Sequence, residues 1–198
     1  MSSSSSTPDC DIVGCTNQVT EGNLCRFHMR SVLGVEVRQS LIAHAGQGLF
    51  AVRAFEANER IDVRHANLLT GHPGSYICPY APRGVFHEKN ERPTADMCYV
   101  MNLNPKLNDV GEWVDGQPLF AGFGRFANCP SKKKDANAVF RSFAVSAANR
   151  ERPEHIYATG GHRFAGYLFA TRRILPNQEI LAEYGDEFRD LILNRAAD

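Results

Sequence analysis

Cys10, Cys15, Cys25 and His28 stand in the pattern C-x4-C-x9-C-x2-H. Four soft ligands in so short a span suit tetrahedral zinc. The segment has too little apolar content to fold by burial alone, so a metal would supply its folding energy. Gly14 and Gly22 provide turns between the ligands. Three other stretches hold residues able to do chemistry: Gly46-Gln47-Gly48-Leu49-Phe50-Ala51, Gly124-Arg125-Phe126-Ala127-Asn128-Cys129, and Glu179-Ile180-Leu181-Ala182-Glu183-Tyr184-Gly185. Glycines such as Gly46 and Gly48 let another group approach the backbone closely, although a lone G-x-G also fits an ordinary turn before a strand. The amide of Asn128 both donates and accepts; a loop asparagine can also simply close an Asx turn. A lone tyrosine such as Tyr184 is more often core than catalytic, so its neighbours must decide.

The elements that would position these residues are short. Val35 to Arg38 alternates apolar and polar, as a half-buried strand does. Leu49 to Val52, Ile61 to Val63, Met97 to Leu103, Trp113-Val114, Ala138 to Phe140 and Tyr167 to Ala170 are further strand candidates. A turn at Pro176-Asn177 precedes a strand beginning at Ile180-Leu181. Residues 64 to 95 read as loops and short strands, and Arg141 to Gly161 as a polar excursion. Glu187 to Ala197 has helical spacing at Phe188, Leu191, Ile192 and Arg195, which predicts a closing helix. The whole is mainly β with short helices.

The chain has 198 residues and a formal net charge of zero, so bulk charge gives no reason to expect nucleic-acid or membrane partners. Lys132, Lys133 and Lys134 are three of only five lysines, a run expected to be a solvated loop face, with a phosphate contact on nucleosomal DNA as the sharper alternative. No stretch approaches the roughly 20 apolar residues of a membrane span. The Ser-rich start has neither the basic region nor the apolar core of a secretory signal and reads as a disordered tail over residues 1–9. An intracellular protein is expected, whose six cysteines are thiols or metal ligands rather than disulfides.

Taken in order, the three stretches resemble the SET domain of S-adenosylmethionine-dependent protein lysine methyltransferases. Leu168 to Ile174 matches the strand that precedes the third stretch in that family. The resemblance implies the SET fold, small curved sheets around a knot-like core, over residues 34–188. A zinc-binding segment would precede it at 10–30, and a C-terminal helix would follow at 189–198. It also implies S-adenosylmethionine as co-substrate, contacted by Gly46, Gln47, Gly48, Leu49, Arg125, Phe126, Asn128, Cys129 and Tyr184. Tyr184 would be the catalytic tyrosine, and Tyr99 would line the lysine channel. Zn2+ held by Cys10, Cys15, Cys25 and His28 would be structural.

The sequence departs from the family in four places. Cys129 replaces the histidine of Arg-Phe-x-Asn-His. Arg64-His65-Ala66 replaces a Tyr-x-Gly. Ala182 stands where Phe or Tyr is common and helps set the number of methyls. No cysteine follows Cys129, so the cysteine-rich cluster that closes the channel in many relatives is missing. The helix over Phe188 to Leu193 would close it instead.

The implied chemistry is in-line displacement at a sulfonium methyl by a neutral lysine amine, which needs neither a metal nor a covalent enzyme intermediate. Lysine's reference pKa is about 10.4, so the site must favour the uncharged amine by desolvation. The expected substrate is a protein, a histone tail or nucleosome, and the expected location is the nucleus. The alternative is a catalytically weak SET-fold module recruited through its zinc finger. The finger region pairs Asp11 and Glu21 with Arg26 and Arg30. It therefore has no basic footprint for DNA, which makes a zinc-finger nucleic-acid binder the weakest reading. Protein recognition, or packing on the main domain, suits the finger better.

Overall fold

A computed structural model describes residues 8–57, 76–87, 100–102, 113–116, 120–145, 147–151 and 164–184. Val35–Gln39 (β1) and Gln47–Ala51 (β2) form an antiparallel hairpin in register from Val35↔Ala51 to Gln39↔Gln47. The loop between them turns through His44 and Gly46, at φ 63° and 69°, the left-handed region that favours glycine at a turn. Leu49 and Phe50 are buried while Gln47 is exposed, so the hairpin carries its glycine end outward and its apolar end into the core.

The second sheet has four strands. Tyr76–Pro79 (β3), Ala138–Ala144 (β7), Phe164–Ala170 (β8) and Ala182–Glu183 (β9) lie in the order β3-β8-β7-β9. Tyr167, Leu168, Phe169 and Ala170 are all buried. That continuous apolar run is the mark of a strand covered on both faces. β7 pairs with β8 antiparallel and with β9 parallel, through Ala138↔Ala182 and Val139↔Glu183. The third sheet, β4-β6-β5, is built from Val85–His87 (β4), Val100–Asn102 (β5) and Trp113–Asp115 (β6).

Residues 141–144 belong to a strand instead of the expected polar excursion. The seven-residue ladder with β8, from Ala138↔Ala170 to Ala144↔Phe164, supplies the backbone partners that local polarity conceals. Ala147–Arg150 (α2) follows that strand as a short helix. At the other end of the chain Arg26–His28 (α1) runs into a π-turn over Met29–Leu33. Gly34, at φ 73°, ends it and donates its N–H to Met29, a left-handed cap of the kind glycine supplies. The expected strand at Ile61 to Val63 and the helix at Glu187 to Ala197 lie outside the described residues.

Among the described residues, the largest of three buried clusters spans the N-terminal segment and the sheets. It joins Cys10, Val19, Leu24, Cys25, Met29 and Leu33 of the N-terminal segment to Val35, Leu49, Phe55, Ile77, Phe123, Leu168, Ile174 and Ile180. The cysteine-bearing segment therefore packs into the main core. Gly22 sits where a Cβ would overlap the ring of Phe123, and Arg83 forms a salt bridge with Asp11 while donating to the Asp9 carbonyl at 2.7 Å.

Candidate active site and metal centre

Residues 174–184 run between two parts of the chain and bond to both. On one side Ile174 exchanges backbone bonds with Phe55, Ala51 N–H donates to Gln178, and Ile180 N–H donates to Leu49 at 2.7 Å. On the other side Ala138 N–H donates to Leu181, and Ala182 N–H donates to Asn128 at 2.9 Å. The Asn137 side chain copies a strand partner. Its amide N–H donates to Glu179 O and its carbonyl accepts from Leu181 N–H, each at 2.8 Å. The three motif stretches meet because the third is threaded between the other two.

Glu179 is the joint. Its side chain is buried and accepts from Ser40 Oγ at 2.6 Å and from Leu41 N–H at 2.8 Å. Asn128 Nδ2 lies 3.3 Å from the same carboxylate and donates to Gln47 O at 2.9 Å. Ser40 N–H closes the loop onto Gly46 O at 2.8 Å. A buried carboxylate is tolerated only when hydrogen bonds replace its lost hydration, and here donors come from both the loop after β1 and the middle stretch. Gly48 has no side chain because there is no room for one: a Cβ would overlap Glu179 Oε1. Gly46 is the opposite case, since nothing lies within 4 Å of a Cβ built there. The loop is thus packed tightly on its inner side and open at Gly46.

Tyr184 directs its phenol back at the middle stretch. Its hydroxyl donates to Ala127 O at 2.7 Å. A hydroxyl has one proton to give, and this bond commits it. The ring packs on Phe140 with centroids 5.4 Å apart, and Phe140 meets Tyr80 edge-on at 5.0 Å. Neither Tyr80 nor Phe140 was singled out from sequence. Asn137 and Ser40 carry no sequence signal either, and Glu179 stands in the third stretch without a role assigned to it.

The remaining sequence candidates are placed as follows. Leu49 is core. Arg125 and Phe126 form the 3-10 turn Gly124–Phe126, with Phe126 buried and the Arg125 guanidinium 5.2 Å from its ring centre. Cys129 is half-buried beside Asn128, its thiol 3.7 Å from Pro130 O. Tyr99 lies outside the described residues.

At the N-terminal segment the structure brings together all four residues expected to hold metal. The Sγ atoms of Cys10, Cys15 and Cys25 and a ring nitrogen of His28 lie within 4.8 Å of one another. Nδ1 of His28 is 3.4 Å from both Cys10 Sγ and Cys25 Sγ, and Cys15 Sγ is 3.9 Å from Cys25 Sγ. Zinc–sulfur bonds of about 2.3 Å in a tetrahedron put sulfurs about 3.8 Å apart, so this Cys3His group could hold a metal ion. Burial pushes the Cys10 thiol up to about 11. Burial acts on Cys25 in the same direction, but hydrogen bonds from the His28 N–H and from Cys10, Cys15 and Asn17 outweigh it and lower that thiol.

No protein-family model matches the chain, and no curated protein matches it in sequence. Solved structures match in shape. A Plasmodium falciparum protein described as a histone methyltransferase aligns with a TM-score of 0.45 and 16% identity, over 77% of this chain and 93% of that one. ctPRC2 in an autoinhibited conformation bound to S-adenosylmethionine aligns with a TM-score of 0.50 and 18% identity. That match covers 84% of this chain and 17% of that one. At such identities the likeness is one of fold. The chain has the mainly β, SET-type architecture of small sheets, with a Cys/His cluster at its N-terminal end.

Proposed function

We propose that this protein transfers a methyl group from S-adenosylmethionine to the side-chain nitrogen of a lysine in another protein, with a histone as the substrate. The observation that carries the proposal is the meeting of the three stretches. Asn128 bonds to Gln47 and Glu179, and Tyr184 bonds to Ala127.

The residues present fit the methyl donor. Gly46 is open on its outer face, and the backbone from Gly46 to Gly48 is fixed in place by Ser40, Glu179 and Asn128. Gln47, Leu49, Arg125, Phe126, Asn128 and Cys129 complete the proposed binding set. When bound, S-adenosylmethionine supplies an electrophilic methyl on a positively charged sulfur. The protein's part is to position and desolvate the incoming amine. With its proton committed to Ala127, the Tyr184 oxygen accepts an N–H from that amine and turns the nitrogen lone pair away from itself. Phe140 and Tyr80 extend the aromatic surface beside Tyr184. Such a wall excludes water and favours the neutral amine. Alignment of a bound pair lowers barriers by about 7–11 kcal/mol, which makes positioning the largest contribution asked of these side chains. Tyr99 is proposed as a further channel residue.

Cys10, Cys15, Cys25 and His28 would hold a structural zinc ion that braces residues 10–30 against the transferring domain at 34–188. A nuclear location follows from a histone substrate. The second reading, a catalytically weak protein-binding module of the same fold, is favoured by Cys129, which stands in place of the family's histidine.

Incubation of the zinc-loaded chain with core histones and labelled methyl donor tests the proposal. Label on a lysine Nε, mapped by mass, is the expected result. Donor uptake without transfer would select the second reading.

A further inference from the structure

We propose that Phe123 couples the metal site to the stretch Gly124–Cys129, and through that stretch to the methyl donor. A metal ion held by Cys10, Cys15, Cys25 and His28 would then order the donor's binding residues. The step to the donor rests on the proposed methyl transfer, whereas the coupling to the stretch stands on contacts alone.

The metal loop meets the middle stretch at one ring. Phe123 is fully buried and stands directly before the 3-10 turn Gly124–Phe126. It caps that turn: Phe126 N–H donates to Phe123 O at 3.0 Å, and Ala127 N–H donates to Gly124 O at 3.1 Å. The ring lies on Gly22, where a Cβ would overlap it. Gly22 is buried, has φ 66° and falls between Cys15 and Cys25. Val19, Leu24 and Cys25 share a buried cluster with Phe123.

A polar tie runs alongside. Asp11 N–H donates to Asn23 O at 3.1 Å, and Asn23 Nδ2 donates back to Asp11 Oδ2 at 2.9 Å. Arg83 pairs with Asp11, and its backbone N–H donates to Ala121 O at 2.8 Å. Residues 79–82 hold the middle stretch from another side. A Cβ on Gly122 would overlap Tyr80 O and Pro82, and one on Gly124 would overlap Tyr80 Cα. With its neighbours wedged there, Phe123 cannot follow a loop that loses its shape, and its ring would lose apolar cover.

The loop's shape depends on the metal. Three thiols and an imidazole drawn within 4.8 Å of one another are held so by the ion they bind. Beyond the turn, the same stretch makes the contacts of the site. Ala127 O accepts from the Tyr184 hydroxyl at 2.7 Å, and Asn128 Nδ2 donates to Gln47 O at 2.9 Å. Phe123 touches neither metal nor donor in this scheme; it is a positioning residue. Such coupling is reciprocal, so the donor tightens the metal by the factor with which the metal tightens the donor.

The test is amide hydrogen exchange on the full chain with and without zinc, at a temperature where near-ultraviolet dichroism finds both forms folded. Zinc should slow exchange at Phe126 and Ala127 by about 5- to 150-fold. In Phe123→Leu zinc should leave these two amides nearly unchanged, yet still slow those of the β7–β8 ladder, which open only with the whole fold. Ladder protection is thus the check that the variant folds and binds zinc. If the leucine variant does not fold, Phe123→Met refills the volume with a flexible chain. A merely structural residue would lower protection everywhere and keep the zinc effect at Phe126 and Ala127. Calorimetry then adds the donor: S-adenosylmethionine should bind the zinc-loaded chain about 5- to 150-fold tighter, a factor that falls toward one in the variant. Amides of Phe126 and Ala127 indifferent to zinc, an equal zinc effect in variant and wild type, or donor affinity unmoved by zinc would each overturn the proposal. Slowed exchange as predicted, without donor binding in either form, would remove the proposed methyl donor and uphold the coupling of metal to stretch.

Discussion

The residue that organises the site is Glu179, since it bonds to the loop after β1 and to the middle stretch at once. Replacing it with alanine takes the acceptor from buried Ser40 Oγ and one partner each from Leu41 N–H and Asn128, which keeps its bond to Gln47 O. Leaving a buried group unsatisfied costs about 1–3 kcal/mol, so Glu179→Ala should lower the melting temperature by several degrees. Glu179→Gln, which keeps the shape and one acceptor, should lose much less. Gly48→Ala forces a methyl onto Glu179 Oε1; overpacking of this kind costs about 1–3 kcal/mol. That variant should lose methyl-donor uptake in calorimetry, and Gly46→Ala should weaken it too, since φ 69° strains an L side chain there and the added methyl stands on the open face proposed for the donor. Tyr184→Phe removes the bond to Ala127 O, at about 1 kcal/mol of stability. On the proposed mechanism it would also release the amine from its acceptor, and misplacement of a reacting pair costs about 10²-fold in rate. Labelled-methyl transfer reads that loss directly. Unchanged turnover would remove Tyr184 from the mechanism.

At the scale of elements, the N-terminal segment and the main domain share one core through Leu24, Met29, Leu33 and Phe123. Removal of a metal held by Cys10, Cys15, Cys25 and His28 should therefore lower the melting temperature of the whole chain in a single transition, followed by near-ultraviolet dichroism with and without chelator. Two transitions, only the first sensitive to chelator, would show the segment to be an independent unit. Because burial holds the Cys10 thiol up at about 11, metal loading must displace its proton. Uptake should release protons and weaken as pH falls.

Which elements were legible follows from how local their signals are. The alternation at Val35–Arg38, the apolar run at Tyr167–Ala170 and the turn at Pro176-Asn177 are written in adjacent residues. The structure has β1 at Val35–Gln39, β8 at Phe164–Ala170, and Asn177 at φ 69°. The second half of β7 was not legible, because Arg141 and Ser142 owe their strand conformation to partners in β8 that lie far along the chain. The four metal-ligating candidates were legible from type and spacing alone. Glu179 and Asn137 were not, since their roles exist only once residues 174–184 lie between β2 and the middle stretch.

Among the described residues the molecule is organised around one threaded segment, residues 174–184. The open side of Gly46 and the phenol of Tyr184 belong to the proposed methyl-transfer site. All of it rests on a methyl donor seating against Gly46 and Asn128. The decisive measurement is titration calorimetry of S-adenosylmethionine into the zinc-loaded full chain, repeated with histone peptides present. Saturable uptake of one molecule per chain, abolished in Gly48→Ala, is the predicted result. An absence of binding heat in a correctly folded sample, with every peptide tried, would contradict the account.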